Sequence, residues 1–366
     1  AFLTRNTKNG AEYIEDQTVV KYTVFITFFL LRLEKRKVIM ENKEFTKESG
    51  EREITTWLRN FEKGLGFKNE IKWINVFQIL LYHCVTLYMA IYYAFPVKWQ
   101  TLVFVGVSYI MSGFGVTVGV HRLWSHRTFK ATLPLKIFTL ICFSMSGQNS
   151  IINWVRDHRV HHKYSDSDAD PHNARRGLFF SHIGWLMMKK NQEVLRRGRE
   201  VDLSDIESDK VLMFHEKYFT WFKLLFCYVV PMVIHVWWLG EGWQKAGAWL
   251  LIRHVATLHA TFSLNSLAHK FGYRPYDKNI RPSQNRFVAT VSLGEGWHNY
   301  HHTFPFDYKG AEFGDILNLC TILIRLFGRL GLAYDLREAT PEMIKSVAAR
   351  LGDGSHFSIL EKHALD

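Results

Sequence analysis

Cysteine is scarce in this chain of 366 residues: Cys84, Cys142, Cys227 and Cys320 are the only four, scattered through apolar stretches. That distribution excludes a structural zinc site built on thiolates. Low-complexity tracts are absent, and the one internal echo is a repeated His-x-x-His-His. Acidic side chains are outnumbered by basic ones, 34 against 46, which leaves a net charge of +12. The basic residues are spread along the chain and form no recognised nucleic-acid motif. The surplus therefore points to an anionic substrate, an anionic lipid or an acidic protein partner.

Charge is missing altogether from several long runs. Ile74–Phe95 holds 22 residues with no Asp, Glu, Lys or Arg, and Thr101–Val120 holds another 20. Each is long enough to cross the ~30 Å hydrocarbon core as a helix. A second pair, Tyr218–Trp238 and Trp243–Leu264, is joined by the short turn LGEG, and its second member is interrupted by Arg253, His254 and His259. The expected fold is all-α and integral to the membrane, with four transmembrane helices in two hairpins. Leu133–Ile152 is apolar too, with Lys136 its only charge. As a span it would put the histidine motifs on its two sides in opposite compartments, so it is expected to pack into the protein or lie at the interface. Residues 121–217 carry sixteen Lys and Arg, whereas 96–100 carries only Lys98 and 239–242 none. The positive-inside bias places the histidines, and with them both termini, on the cytosolic side.

At the start of the chain, the apolar run Val19–Leu33 is short and broken by Lys21 and Arg32, resembling neither a signal peptide nor a span. Residues 1–39 are expected to be a non-functional extension before Met40, and 40–72 a solvated cytosolic arm. The main unit is expected over 73–340, with 341–366 a cytosolic tail.

Histidine is what the chain has in pattern. Of its 18 histidines, nine fall into four motifs: His121 and His126 in HRLWSH, His158, His161 and His162 in HRVHH, His269 in NSLAH, and His298, His301 and His302 in HNYHH. On a helix, positions i, i+3 and i+4 are neighbours, so such clusters converge their imidazoles on metal. Imidazole suits zinc, copper, iron and nickel alike. A zinc ion takes about four ligands, whereas nine imidazoles suit two five- or six-coordinate ions with room for water or O2, and two irons fit best. Asp166, Asp168, Asp170 and Glu295 are candidates to orient the rings through their second nitrogens. The remaining histidines, His83, His172, His182, His215, His235, His254, His259, His356 and His363, fit no ligand pattern and are expected to be structural or solvated.

The stretches HRLWSHRTFK, DHRVHHKYSDSDADPHNARRGLFFSHIGWL, NSLAHKFGYRPYDKNI and GEGWHNYHHTFPFDY resemble the membrane acyl-CoA desaturases of the stearoyl-CoA (Δ9) type, over roughly residues 70–340. The resemblance implies a membrane stalk under a cytosolic helical cap in the endoplasmic reticulum and a non-haem di-iron centre. It also implies a fatty acyl-CoA in a bent tunnel, O2, and electrons from cytochrome b5. It assigns His121, His126, His158, His162 and His301 to one iron and His161, His269, His298 and His302 to the other, with Asn265 holding a water on the second. For the CoA and acyl head it points to Asn75, Asn149, Arg156, Asp157, Lys189 and Lys190, where cations suit phosphates. Lys189 and Lys190 also read as juxtamembrane cations facing anionic lipid. Phe262 stands where the family commonly has Trp, losing an indole N–H near the thioester, and Trp297 where Phe is common. Tyr109 and Gly113, at i and i+4 on the second span, would close the far end of the tunnel, with room at Gly113 for an 18-carbon chain.

Taking hydrogen from an unactivated methylene needs an oxidant beyond any side chain, which places the chemistry on the metal. No HPGG-type haem segment occurs, so the electron donor is expected to be a separate protein. Two other readings compete: a related di-iron hydroxylase or acyl-lipid desaturase, and a histidine-rich membrane metal transporter. DPHNARRG and GYRPYDKN favour acyl-CoA over the first. A transporter should carry its ligands within its spans near the bilayer midplane, whereas these histidines follow the cytosolic helix ends.

Overall fold

The computed structural model describes residues 50–360, apart from 66, 68 and 314–316. The 1–39 extension and most of the 40–72 arm's first part therefore lie outside the described residues. Helix α1 (Gly50–Gly64) leads to α2 (Trp73–Tyr93), α3 (Trp99–Ser125), α4 (Leu133–Met145) and α5 (Ile151–Lys163). After a run of short helices come α6 (Phe219–Trp238), α7 (Trp243–Ser266), α8 (His298–Thr303), α9 (Leu319–Arg329) and α10 (Pro341–Leu351). The described residues are mostly helical, with one two-stranded antiparallel ribbon pairing Lys130 with Tyr334 and Ala131 with Ala333.

Among the described residues, three helices are long and apolar enough to cross a membrane: α2, α3 and α6. Ile74, Phe77, Leu81, Leu87 and Ile91 of α2 stay exposed, as a lipid-facing surface requires. The 27 residues of α3 rise about 40 Å at 1.5 Å each. It therefore outreaches the hydrocarbon core, and its last turns carry His121 into the cap. The expected fourth span, α7, has the length at 24 residues but is less apolar. Its polar residues face protein: Arg253, buried, donates to Ser112 Oγ at 3.0 Å, the Met145 carbonyl at 2.6 Å and the Cys227 carbonyl at 2.8 Å. An arginine at such a depth persists only when its donors are met in this way.

Helix α4 stops after 13 residues, about 20 Å, short of a span. It packs along both halves of α3, and Gly115 permits the approach, because a Cβ there would lie 2.0 Å from the Phe143 nitrogen. Phe114, Val118, Leu135, Cys142, Phe143 and Val155 form the core where α3, α4 and α5 meet. The 341–366 stretch read as a tail begins with packed structure: α10 buries Ile344 and Ala348 against Tyr276, Tyr300 and Phe304, beneath the His298–His302 helix.

Candidate metal centre

Helix α3 winds as a π-helix over Gly115–Ser125, and the His126 amide donates to the His121 carbonyl at 3.1 Å, an i to i+5 bond. In an α-helix two side chains five residues apart diverge by roughly 140°. The wider turn brings the two rings together, with centroids 4.9 Å apart. On α5, His158 and His162 share one face while His161 turns toward another group. On α8, His298 and His302 share a face while His301 turns away from them.

The outcome is two clusters. Ring nitrogens of His121, His126, His158, His162 and His301 lie within 4.8 Å of one another, and those of His161, His269, His298 and His302 do likewise. This is the same division that the resemblance implies. The clusters adjoin, with the His162 and His302 rings stacked at 4.0 Å.

Nε2 atoms face one another inside each cluster: His126 to His158 at 2.8 Å, His301 to His121 and His162 at 3.0 Å, and His298 to His269 and His302 at 3.1 Å. Burial holds His126, His158, His162, His298, His301 and His302 well below the usual imidazole range. A neutral ring that keeps its proton on Nδ1 presents a lone pair at Nε2, and the buried His161 Nε2 has no hydrogen bond among the described residues. Converging lone pairs of this kind fit cations of imidazole-binding metals.

Three carboxylates orient the rings from behind. Asp170 Oδ1 lies 2.9 Å from His161 Nδ1, Asp166 Oδ2 lies 2.9 Å from His269 Nδ1, and Glu295 Oε2 lies 3.1 Å from His121 Nδ1. The two aspartates, hydrogen-bonded to Nδ1, favour the tautomer whose Nε2 faces the cluster, while Glu295 is an ion-pair neighbour of the His121 ring. Burial opposes the charge of Glu295, yet Arg122 and His121 outweigh it and hold the carboxyl at about 2. Asp170 is likewise kept below the carboxylate range by His161 despite burial. For His161 burial acts downward, and Asp170 carries it above the imidazole norm. Asp168, the fourth candidate, reaches no histidine; it lines a small cleft with Arg176, Lys189 and Lys190. Sequence reasoning missed Arg122, fully buried behind Glu295, which also donates to the Tyr308 carbonyl and Thr321 Oγ1. Its position inside HRLWSH was the available signal. His172 sits with His161 and Asp170, whose carboxylate accepts its backbone N–H at 2.9 Å.

A cavity of about 370 Å³ opens against both clusters, touching His121 and His158 of one and His161 and His298 of the other. Val116, Trp154, Leu258 and Phe262 make its walls largely apolar. Gln148 bridges it, donating to Thr261 Oγ1 and accepting from Trp154 Nε1, both at 2.8 Å. Asn265 lines the same cavity one turn before His269.

The expected head-group residues divide. Asn149 and Asp157 line the cavity. Lys190 pairs with Asp157 at 2.5 Å, Lys189 pairs with Glu70, Asn75 donates to the Leu186 carbonyl at 2.8 Å, and Arg156 donates to Asn153 at 3.2 Å. Tyr109 and Gly113 lie beyond the cavity's lining on α3. Tyr109 donates to the Val291 carbonyl, and the space beside Gly113 is taken by Leu293, whose Cδ1 lies 2.6 Å from where a Cβ would stand.

A sequence profile described as fatty acid desaturase matches residues 96–313. The chain is 47% identical over 296 residues to an acyl-CoA Δ11 desaturase of Spodoptera littoralis, covering 80% of this chain and 87% of that protein. An acyl-CoA Δ9 desaturase of Acheta domesticus is 45% identical over 79% of this chain and 81% of its own length. Stearoyl-CoA desaturase 5 of Bos taurus is 47% identical over 79% of this chain and 87% of its own.

The chain belongs to the fatty acid desaturase family. Its nine-histidine centre and adjoining cavity are therefore those of a membrane oxidoreductase of lipid metabolism, and the cavity's apolar walls suit an acyl chain.

Proposed function

We propose that this chain is an acyl-CoA Δ9-desaturase that introduces a cis double bond into stearoyl- or palmitoyl-CoA, with cytochrome b5 as electron donor, at the endoplasmic reticulum membrane. The observation that carries the reading is the apolar cavity bordered by histidines of both clusters. The nine histidines are the proposed ligands of two irons, with Asn265 holding a water on the second. Iron supplies, when bound, the activation of O2 that no side chain provides.

The protein's part is placement. Neutral imidazoles leave net positive charge at the centre, and Asp166, Asp170 and Glu295 hold their rings in register. The walls contributed by Trp154, Leu258 and Phe262 exclude water from the acyl chain and hold a methylene beside the histidines. Asn149 and Asp157 at the cavity, with Lys190 on Asp157, receive the CoA end, and Asn75, Arg156 and Lys189 complete that region. The basic cytosolic face attracts an acidic donor protein.

Relatives named for Δ9 and Δ11 products share similar identity with this chain, so the position of the double bond is the test. Expression in desaturase-deficient yeast, with the double bond located by mass spectrometry, is expected to restore growth and yield Δ9 products. A Δ11 product would contradict the regiochemistry, and a hydroxylated product would favour the di-iron hydroxylase instead.

A further inference from the structure

We propose that the indole N–H of Trp185 binds the thioester carbonyl of the acyl-CoA, an inference that rests on the acyl-CoA reading above. Trp185 forms a wall shared by two spaces. One is the apolar cavity that runs to the histidines, and the other is the small cleft with Arg176, Lys189 and Lys190. A ligand with an apolar chain and an anionic head spanning both spaces must place its junction at this side chain.

The indole Nε1 is buried and makes no hydrogen bond among the described residues. A buried donor left unpaired is costly, so a ligand atom that accepts from it gains the removal of that cost. The two rings packed against it make no hydrogen bond with it. Phe262 stands edge-on at 6.3 Å with an interplanar angle of 90°, and the His172 ring meets the indole at 4.5 Å and 89°. These contacts fix the orientation of the indole before a ligand arrives, which lowers the entropy lost on binding. Among the groups of an acyl thioester, the carbonyl oxygen at the join of chain and head is the acceptor that reaches the junction first. Trp185 is on this account a binding and positioning residue, setting how far the acyl chain enters the cavity.

The test uses full-length, iron-loaded protein and two ligands, stearoyl-CoA and its thioether analogue, in which a CH2 replaces the carbonyl. Wild-type protein is expected to bind the thioester about tenfold more tightly than the thioether. In Trp185→Phe, which keeps a ring and removes the N–H, that preference is expected to fall to near unity, with iron content retained as the check on folding. An unchanged preference in the variant overturns the proposal, as does equal weakening of both ligands, which would assign the N–H to an amide carbonyl of the pantetheine arm. Absence of any preference in the wild-type protein overturns it without recourse to a variant. Failure of the wild-type protein to bind or desaturate acyl-CoA at all would instead remove the functional reading beneath it.

Discussion

Asp166 and Asp168 are two residues apart in one loop, yet only the first reaches a histidine ring. Replacing Asp166 or Asp170 with Asn is expected to lower iron affinity about 10–100-fold, because the ring loses the partner that fixes its tautomer. Asp168→Asn should leave iron content unchanged. Metal analysis of the purified proteins checks both. Which acid serves which ring was not legible in the sequence, since Asp166 and His269 are 103 residues apart and loop carboxylates are ordinarily solvated. At Gly113, Leu293 fills the adjacent space, so Gly113→Leu must push that side chain aside. If this helix face bounds the acyl chain, the substitution should shift preference toward shorter substrates by at least about tenfold, at ~1–3 kcal/mol per methylene. The C16:1 to C18:1 ratio in yeast measures it, and an unchanged ratio would show that Gly113 faces another helix only.

At the scale of elements, the π-helix over Gly115–Ser125 carries His121 and brings it beside His126, the first pair of proposed ligands. Gly115→Ala should destabilise the protein by at least about 1–3 kcal/mol, because the added methyl meets the Phe143 backbone, which cannot give way as a flexible side chain would. A lower thermal midpoint in detergent is the readout. The His-x-x-His-His motifs are legible in the sequence because i, i+3 and i+4 are neighbours on an ordinary helix, although the structure sends the middle histidine of each to the other cluster. His121 and His126 are legible as a motif too, but not their pairing, since their five-residue spacing meets on one face only through a π-turn. The packing of α10 is not legible either, because its two buried positions, Ile344 and Ala348, lie on a helix whose other apolar residues stay largely exposed.

Over the whole molecule, the uncharged runs made α2 and α3 legible, whereas α7 was harder to read because Arg253 and His254 interrupt it. Those charges are met inside the bundle, a compensation that hydropathy does not see. The net charge of +12 carries its own consequence. Turnover supported by an acidic electron-donor protein should fall as salt rises, since screening beyond about 8–10 Å weakens the steering between partners. The central claim is that nine histidines, gathered from four distant motifs, hold two metal ions at the end of an acyl cavity. The most direct measurement is the iron content of purified protein alongside desaturation of stearoyl-CoA, for the wild type, His161→Ala and His302→Ala. The account predicts two irons per chain in the wild type, and reduced iron with loss of desaturation in each variant that still inserts into membranes. Full activity in either variant, or an active wild-type protein without iron, would contradict it.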